Sequence, residues 1–139
     1  MSLSPGQRLG PYEVLGSLGS GGMGEVYRAR DTRLGRDVAL KVLPLEVLAD
    51  KSVRERQLHE ARMASALNHP HIAALYEIGE PQGRLFLVME LVEGKDLKAL
   101  IPGAGMPLES AARYGAQIAD ALELDPGYAP AHAALADTY

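Results

Sequence analysis

Gly19-Ser20-Gly21-Gly22-Met23-Gly24 runs directly into Glu25-Val26-Tyr27-Arg28-Ala29-Arg30, and the reading of this stretch decides the fold. Taken alone, a Gly-x-Gly-x-x-Gly spacing is weak, because fifteen glycines in 139 residues produce it readily by chance. Its context separates the readings. A dinucleotide-binding turn needs a strand, then the glycines, then a helix. Here Tyr12 to Leu18 has strand character, and the residues from Glu25 to Arg30 alternate and include β-branched Val26, so a second strand follows the glycines. Strand, glycines and strand make a hairpin whose small residues let backbone N–H groups approach a phosphate. A hairpin turn that binds nothing has the same composition, so both readings stay open at this point.

Working outward, Asp31-Thr32-Arg33-Leu34-Gly35-Arg36 is a polar turn, and Asp37-Val38-Ala39-Leu40-Lys41-Val42-Leu43 is a third strand stopped by Pro44. Ser52 and Glu55 have the spacing of a capping box, and Val53 to Leu67 holds neither Gly nor Pro, which predicts a helix ended by Asn68-His69-Pro70. Ile72 to Gly79 and Arg84 to Glu90 are further strands around the turn Glu80-Pro81-Gln82-Gly83. The expected fold class is α+β: a five-stranded antiparallel sheet with one inserted helix, followed by helical segments. Gly94 to Leu100 predicts a short helix, Ile101 to Pro107 a loop, and Leu108 to Leu124 a longer helix.

Two charged residues stand in apolar surroundings. Lys41 is at the centre of a β-rich run, where an ammonium is costly unless an anion lies nearby; on a solvent face beside Ala39 it would be ordinary. Glu60 falls at i, i+3, i+4 and i+7 with Met63, Ala64 and Leu67, which puts a carboxylate on the expected apolar stripe. One Lys and one Glu on facing elements make a candidate ion pair.

The order Gly19-x-Gly21-x-x-Gly24-x-Val26, then Val38-Ala39-Leu40-Lys41, then Glu60, resembles the small lobe of eukaryotic-like serine/threonine protein kinases, in wording close to the bacterial branch. His69-Pro70-His71-Ile72 resembles the segment after that family's helix, and Leu87-Val88-Met89-Glu90-Leu91-Val92 resembles its fifth strand and hinge. The resemblance spans about residues 10–120 and implies ATP as ligand, with Mg2+. By position, Gly19, Gly21 and Gly24 would form the phosphate lid. Lys41 would hold the α- and β-phosphates and Glu60 would orient it. Leu18, Val26 and Ala39 would sandwich the adenine. Met89 would be the gatekeeper, the backbone of Glu90 and Val92 would bind the adenine edge, and Asp96 would reach the ribose.

The same resemblance implies what these residues lack. The family's chemistry uses an H-R-D-x-x-x-x-N loop and a D-F-G segment to place the substrate and the metal. The only Phe is Phe86, the only Asn is Asn68, and no His-Arg-Asp tripeptide occurs, so no catalytic residue and no metal ligand is assigned. The expected function is the ATP-binding lobe of a serine/threonine kinase, inactive by itself. The alternative is a non-catalytic interaction module that meets a protein partner through the exposed hinge side or the helical tail.

Leu108 to Leu122 resembles the family's helix before the catalytic loop. From Ala121 the sequence Ala121-Leu122-Glu123-Leu124-Asp125-Pro126-Gly127-Tyr128-Ala129-Pro130 resembles the junction of tetratricopeptide repeats, with Leu135, Ala136 and Tyr139 fitting the next repeat. An internal deletion or an assembly join is the expected origin. The division expected is a flexible leader over 1–11, the small lobe with hinge over 12–93, the first large-lobe helices over 94–120 and the repeat-like fragment over 121–139. Bulk composition excludes several partners. A net charge of -4 without a basic stripe argues against nucleic acid. The absence of cysteine excludes disulfides and thiolate metal sites. No apolar run reaches the roughly 18 residues of a membrane span, so a cytoplasmic chain is expected.

Overall fold

The computed structural model describes residues 2–21, 24–80, 83–95, 97–101, 103 and 105–124. They fall into two compact units. The first comprises the described residues up to Ser65 together with Leu75–Leu91, and the second comprises Ala66–Ala74 and the described residues from Val92 on.

The first unit is built on one antiparallel sheet. Its strands are β1 (Arg8–Leu9), β2 (Tyr12–Gly21), β3 (Gly24–Asp31), β4 (Arg36–Val42), β5 (Leu75–Gly79) and β6 (Phe86–Met89), in the spatial order β1-β2-β3-β4-β6-β5. Two helices, α1 (Leu45–Ala49) and α2 (Lys51–Ser65), lie between β4 and β5 in sequence. The expected five strands and one helix are thus six and two; β1 and α1 are the additions. Both are short, two and five residues, and too brief to leave a periodic signal.

Period-2 alternation divides the sheet into two faces. Tyr12, Val14, Tyr27, Ala29, Val38, Leu40, Phe86 and Val88 point to one side and form the core, with Val42 packed against them. Leu3 and Leu9 join the same cluster. The leader is therefore not a free tail: Leu9 pairs with Tyr12, Gly6 N donates to Val14 O at 2.8 Å, and Val14 N donates to Gln7 O at 2.8 Å.

The β3–β4 turn is organised by Asp31, whose side chain is buried. Its Oδ1 accepts from the amides of Arg33 (2.9 Å) and Leu34 (3.3 Å), while Gly35 takes a positive φ of 65° and donates to the Asp31 carbonyl at 2.8 Å. Burial by itself raises the Asp31 carboxyl, but these amides and the Arg33 guanidinium outweigh it and hold the carboxyl below its usual range.

Helix α2 starts one step earlier than the capping-box spacing suggests. Asp50 is the cap: its Oδ1 accepts from Ser52 N (2.9 Å), Ser52 Oγ (2.7 Å) and Val53 N (3.3 Å). Ser52 lies inside the helix, and Glu55 instead faces Lys51 across 3.8 Å of exposed surface. The carboxylate is the better acceptor for two first-turn amides, and Ser52 adds its own hydroxyl to it.

Tyr12 ties the sheet edge to the turn. Its ring packs edge-on to Phe86 with centroids 5.9 Å apart, its hydroxyl donates to the Glu77 carboxylate, and Arg33 Nη2 donates to the same hydroxyl at 3.0 Å. Burial, then the Glu77 contact, push the phenol up to about 12, against the opposing pull of Arg33. A folded-state value above the unfolded one of about 10 favours the folded state fully below about pH 10 and loses that contribution as pH rises toward 12. In an ultraviolet titration of phenolate absorbance, the wild-type minus Tyr12→Phe difference is expected to rise near pH 12; a difference rising near pH 10 would show that Tyr12 is not held this way.

The second unit contains α3 (Leu97–Leu100) and α4 (Leu108–Leu124), so the helix expected over Leu108 to Leu124 is found with those bounds. Ala121 of α4 is fully buried against Ile72, with Leu67 beside them. His69 Nε2 lies 3.3 Å from Asp120 Oδ2, and His69 Nδ1 accepts from the His71 amide at 3.0 Å. Of the repeat-like stretch expected over 121–139, Ala121 to Leu124 complete α4, and the residues from Asp125 on lie outside the described residues.

Candidate functional site

The strand register decides where the candidate residues lie. Val26 is opposite Lys41, and Lys41 is opposite Leu87, so the three form one row across β3, β4 and β6. The next row is Arg28, Ala39 and Met89. Val38 and Leu40, on the other face of β4, are buried in the core, while Val26, Ala39, Lys41, Leu87 and Met89 are all half-buried. Lys41 thus shares a face with Ala39, and within its own row it is flanked by the apolar side chains of Val26 and Leu87. Leu87 belongs to the row although the sequence reading did not single it out; the alternation of Phe86 and Val88 inward against Leu87 and Met89 outward is the signal that reveals it.

Lys41 is the chemically distinctive member. Burial alone pushes its ammonium below the usual lysine range, since no described charge acts on it strongly enough to compensate. A partly desolvated ammonium among Val, Leu and Ala side chains is a ready donor to an anion.

The glycine-rich hairpin ends beside this row. Gly19 is opposite Val26, Ser20 opposite Glu25, and Gly21 opposite Gly24. The forward strand β2 is irregular, with register shifts between Val14 and Gly16 and between Ser17 and Gly19. Leu15 and Leu18 occupy these shifts and are exposed, so Leu18 stands next to the row but is not packed down onto the sheet. Gly24 has a φ of 115°, and a Cβ there would lie 2.2 Å from the Val42 carbonyl oxygen. Gly19 has no atom within 4 Å of such a Cβ.

Glu60 is placed differently from the sequence expectation. It is exposed, and among the described residues no ion pair joins it to Lys41. The buried residues of α2 are Ala61 and Ala64, while Met63 is 60 % exposed. The helix thus seats its two small alanines inward, and the 60/63 stripe faces outward. Alanines allow close helix approach, and bulky Met63 does not compete for that face.

Glu90 follows β6 within the first unit and is exposed, Val92 belongs to the second unit and is half-buried, and Asp96 lies outside the described residues. On the same sheet face, Arg28 Nε and Nη2 donate to Asp37 Oδ2 at 2.9 and 2.7 Å, and Arg30 Nε lies 2.9 Å from Asp37 Oδ1. These partly exposed pairs fix Asp37 at the outer end of the face and are worth little individually.

A twisted sheet with a glycine hairpin at one end, a half-buried lysine in the third long strand and a helix inserted before the last strand pair defines a kinase-type small lobe. The sequence pattern of the protein kinase domain matches residues 12–124, and the chain belongs to that family. It is 41% identical over 126 residues to the serine/threonine-protein kinase PknF of Mycobacterium tuberculosis, covering 88% of this chain and 26% of that protein. It is 42% identical over 120 residues to PknH of Mycobacterium bovis, covering 85% of this chain and 20% of PknH. Among solved structures, the PknI kinase domain of Mycobacterium tuberculosis superposes with a TM-score of 0.79 at 32% identity, covering 88% of this chain and 50% of that domain. The chain thus spans about a quarter or less of these whole kinases and about half of a kinase domain. Among the described residues no helix is long and apolar enough to cross a membrane.

Proposed function

We propose that this lobe binds ATP as part of a bacterial serine/threonine protein kinase, with the Val26–Lys41–Leu87 row as floor and the glycine hairpin as lid. The observation that carries the reading is Lys41: a partly desolvated ammonium at the foot of a glycine hairpin, flanked in its row by apolar Val26 and Leu87. The α- and β-phosphates supply the missing negative charge, and the backbone amides of Gly19, Gly21 and Gly24 face the remaining oxygens. Val26 and Ala39 offer flat apolar area to the adenine, with Leu18 folding over from its exposed position. Met89 flanks the base and the backbone of Glu90 meets its edge; the roles of Val92 at that edge and of Asp96 at the ribose rest on the family resemblance alone. Glu60 can orient Lys41 only after α2 turns its 60/63 stripe inward.

The residues present do not fit magnesium by themselves. Among the described residues no three Asp, Glu or His side chains gather as a metal site, and the sequence holds neither a His-Arg-Asp tripeptide nor a second Asn. Magnesium would screen the phosphates when bound with ATP. With the substrate-positioning Asp and the metal-binding Asp and Asn of the family not among these residues, no phosphoryl transfer is assigned to them.

Titration calorimetry with Mg-ATP tests the reading. Wild type is expected to bind, and Lys41→Met to weaken binding by at least about tenfold, the scale of one charge-assisted hydrogen bond. Binding by neither form, or equal binding by both, would remove Lys41 from the site.

A further inference from the structure

The arm that precedes β2 makes contacts a passive leader would not. Leu3 and Leu9 are buried in the sheet core. Leu3 N donates to the Tyr27 hydroxyl at 2.9 Å, the Tyr27 hydroxyl in turn donates to Glu25 Oε2, and Ser2 Oγ donates to Glu25 Oε1 at 2.8 Å. Both carboxylate oxygens of Glu25 are therefore engaged, one by the arm itself and one by a buried phenol that the arm also contacts. Glu25 directly follows Gly24 and lies opposite Ser20 and Val42, at the root of the glycine hairpin.

We propose that residues Ser2–Leu9 act as a strap that positions the returning strand of the glycine hairpin through Glu25, making Ser2, Leu3, Tyr27 and Glu25 positioning residues for the lid. The forward strand cannot serve this purpose well, because two register shifts interrupt its ladder between Val14 and Gly19. The hairpin's described glycines, Gly19, Gly21 and Gly24, offer it no side chains to pack. What fixes its place is the root of the returning strand, held on one side by Gly24 against the Val42 carbonyl and on the other by the Glu25 carboxylate. The arm stays seated through the burial of Leu3 and Leu9 rather than through the two-residue β1 ladder, which is marginal alone. A simple alternative is that Glu25 only satisfies the buried Tyr27 hydroxyl. That role would not need Ser2 or a tie to the lid.

The strap's effect on nucleotide rests on the lid reading above, while the tie itself does not, so two readouts are taken on the whole chain. In hydrogen-exchange mass spectrometry, the double variant Ser2→Ala/Leu3→Ala is expected to speed exchange of amides in Ser17–Tyr27 by on the order of fivefold, with Leu85–Met89 unchanged. Glu25→Ala leaves the arm seated by its leucines and should give the same local effect. Uniformly faster exchange in both segments would reduce the arm to ordinary core packing and overturn the strap, as would no change in either. A response to arm release without one to Glu25→Ala would also overturn it, because the coupling would then bypass Glu25. Mg-ATP titrations on the same proteins separate the two readings. Local exchange that moves while wild type fails to bind leaves the strap standing and sinks the nucleotide site; binding by wild type with no local exchange change sinks the strap alone.

Discussion

Replacing Phe86 by alanine is expected to lower the unfolding free energy of the chain by about 3–5 kcal/mol, the usual loss for a buried aromatic truncated in a core. The ring is buried, meets Tyr12 edge-on and sits opposite Val42 on β4. It also fills the space above Gly79, its register partner on β5: a Cβ there would lie 2.2 Å from Phe86 Cζ. The ring is thus a contact shared by β2, β4, β5 and β6. Against a total stability of about 5–15 kcal/mol, a loss of that size would leave a lobe this small close to unfolding at room temperature. Urea unfolding followed by circular dichroism checks it, through a lower midpoint at unchanged slope. Gly79→Ala should destabilise the wild type and become nearly neutral in the Phe86→Ala background, since the added methyl then enters the vacated space. A loss under about 1 kcal/mol for Phe86→Ala would mean that the ring is not the keystone of the β5–β6 pair.

Gly24→Ala carries the second large effect. The residue combines a φ of 115° with a Cβ direction that ends 2.2 Å from the Val42 carbonyl oxygen and 3.3 Å from Pro44 Cδ. The obstructing atom is backbone inside a ladder, so it cannot swing aside as a side-chain tip would. Backbone strain of about 1–3 kcal/mol adds to that clash, for an expected loss of about 2–4 kcal/mol in the same unfolding assay. Gly19→Ala is the internal control: with open space at its Cβ and no positive φ, it should change stability by less than about 0.5 kcal/mol. If the two variants behave alike, the close approach at Gly24 is not real. The comparison also divides the glycine motif by cause. Gly24 is required by the fold itself, whereas Gly19 has no packing reason to be glycine and leaves room for a ligand to supply one.

The α+β class, the glycine hairpin, the lysine strand and the α4 helix with its bounds were legible because each leaves a strong local mark: alternation in Val38 to Val42, Gly and Pro punctuation, and the uninterrupted amphipathic run from Leu108 to Leu124. What was not legible depends on tertiary contacts. The strand β1 exists only because Leu3 and Leu9 find a core to enter. Asp50 displaced Ser52 as helix cap, although either residue type suits that position, because its carboxylate could take two amides and a hydroxyl together. The misplacement of Glu60 has a plainer source. Met63, Ala64 and Leu67 suggested one stripe with Glu60, but of these only Ala64 is buried, together with Ala61, so in a helix with so few large apolar residues close packing chose the alanines. The strand candidates Val26, Ala39, Lys41 and Met89 fall on one sheet face because a strand has only two; a helix offers many faces, and Glu60 falls on an exposed one.

The spatial order of the strands also bears on how the chain reaches this fold. Strands β1 to β4 are neighbours in sequence as well as in space, and β5 and β6 are close in sequence too, so these ladders form between nearby residues. Only the β4–β6 ladder is remote: pairing Val42 with Phe86 closes a loop holding α1, α2 and β5. Loop closure at that distance must be met before any of its ladder bonds form, which makes this seam the slowest to assemble and the first to part. The Lys41–Leu87 contact lies on the seam itself, so the apolar floor under the lysine comes into being only at the last joining of the sheet.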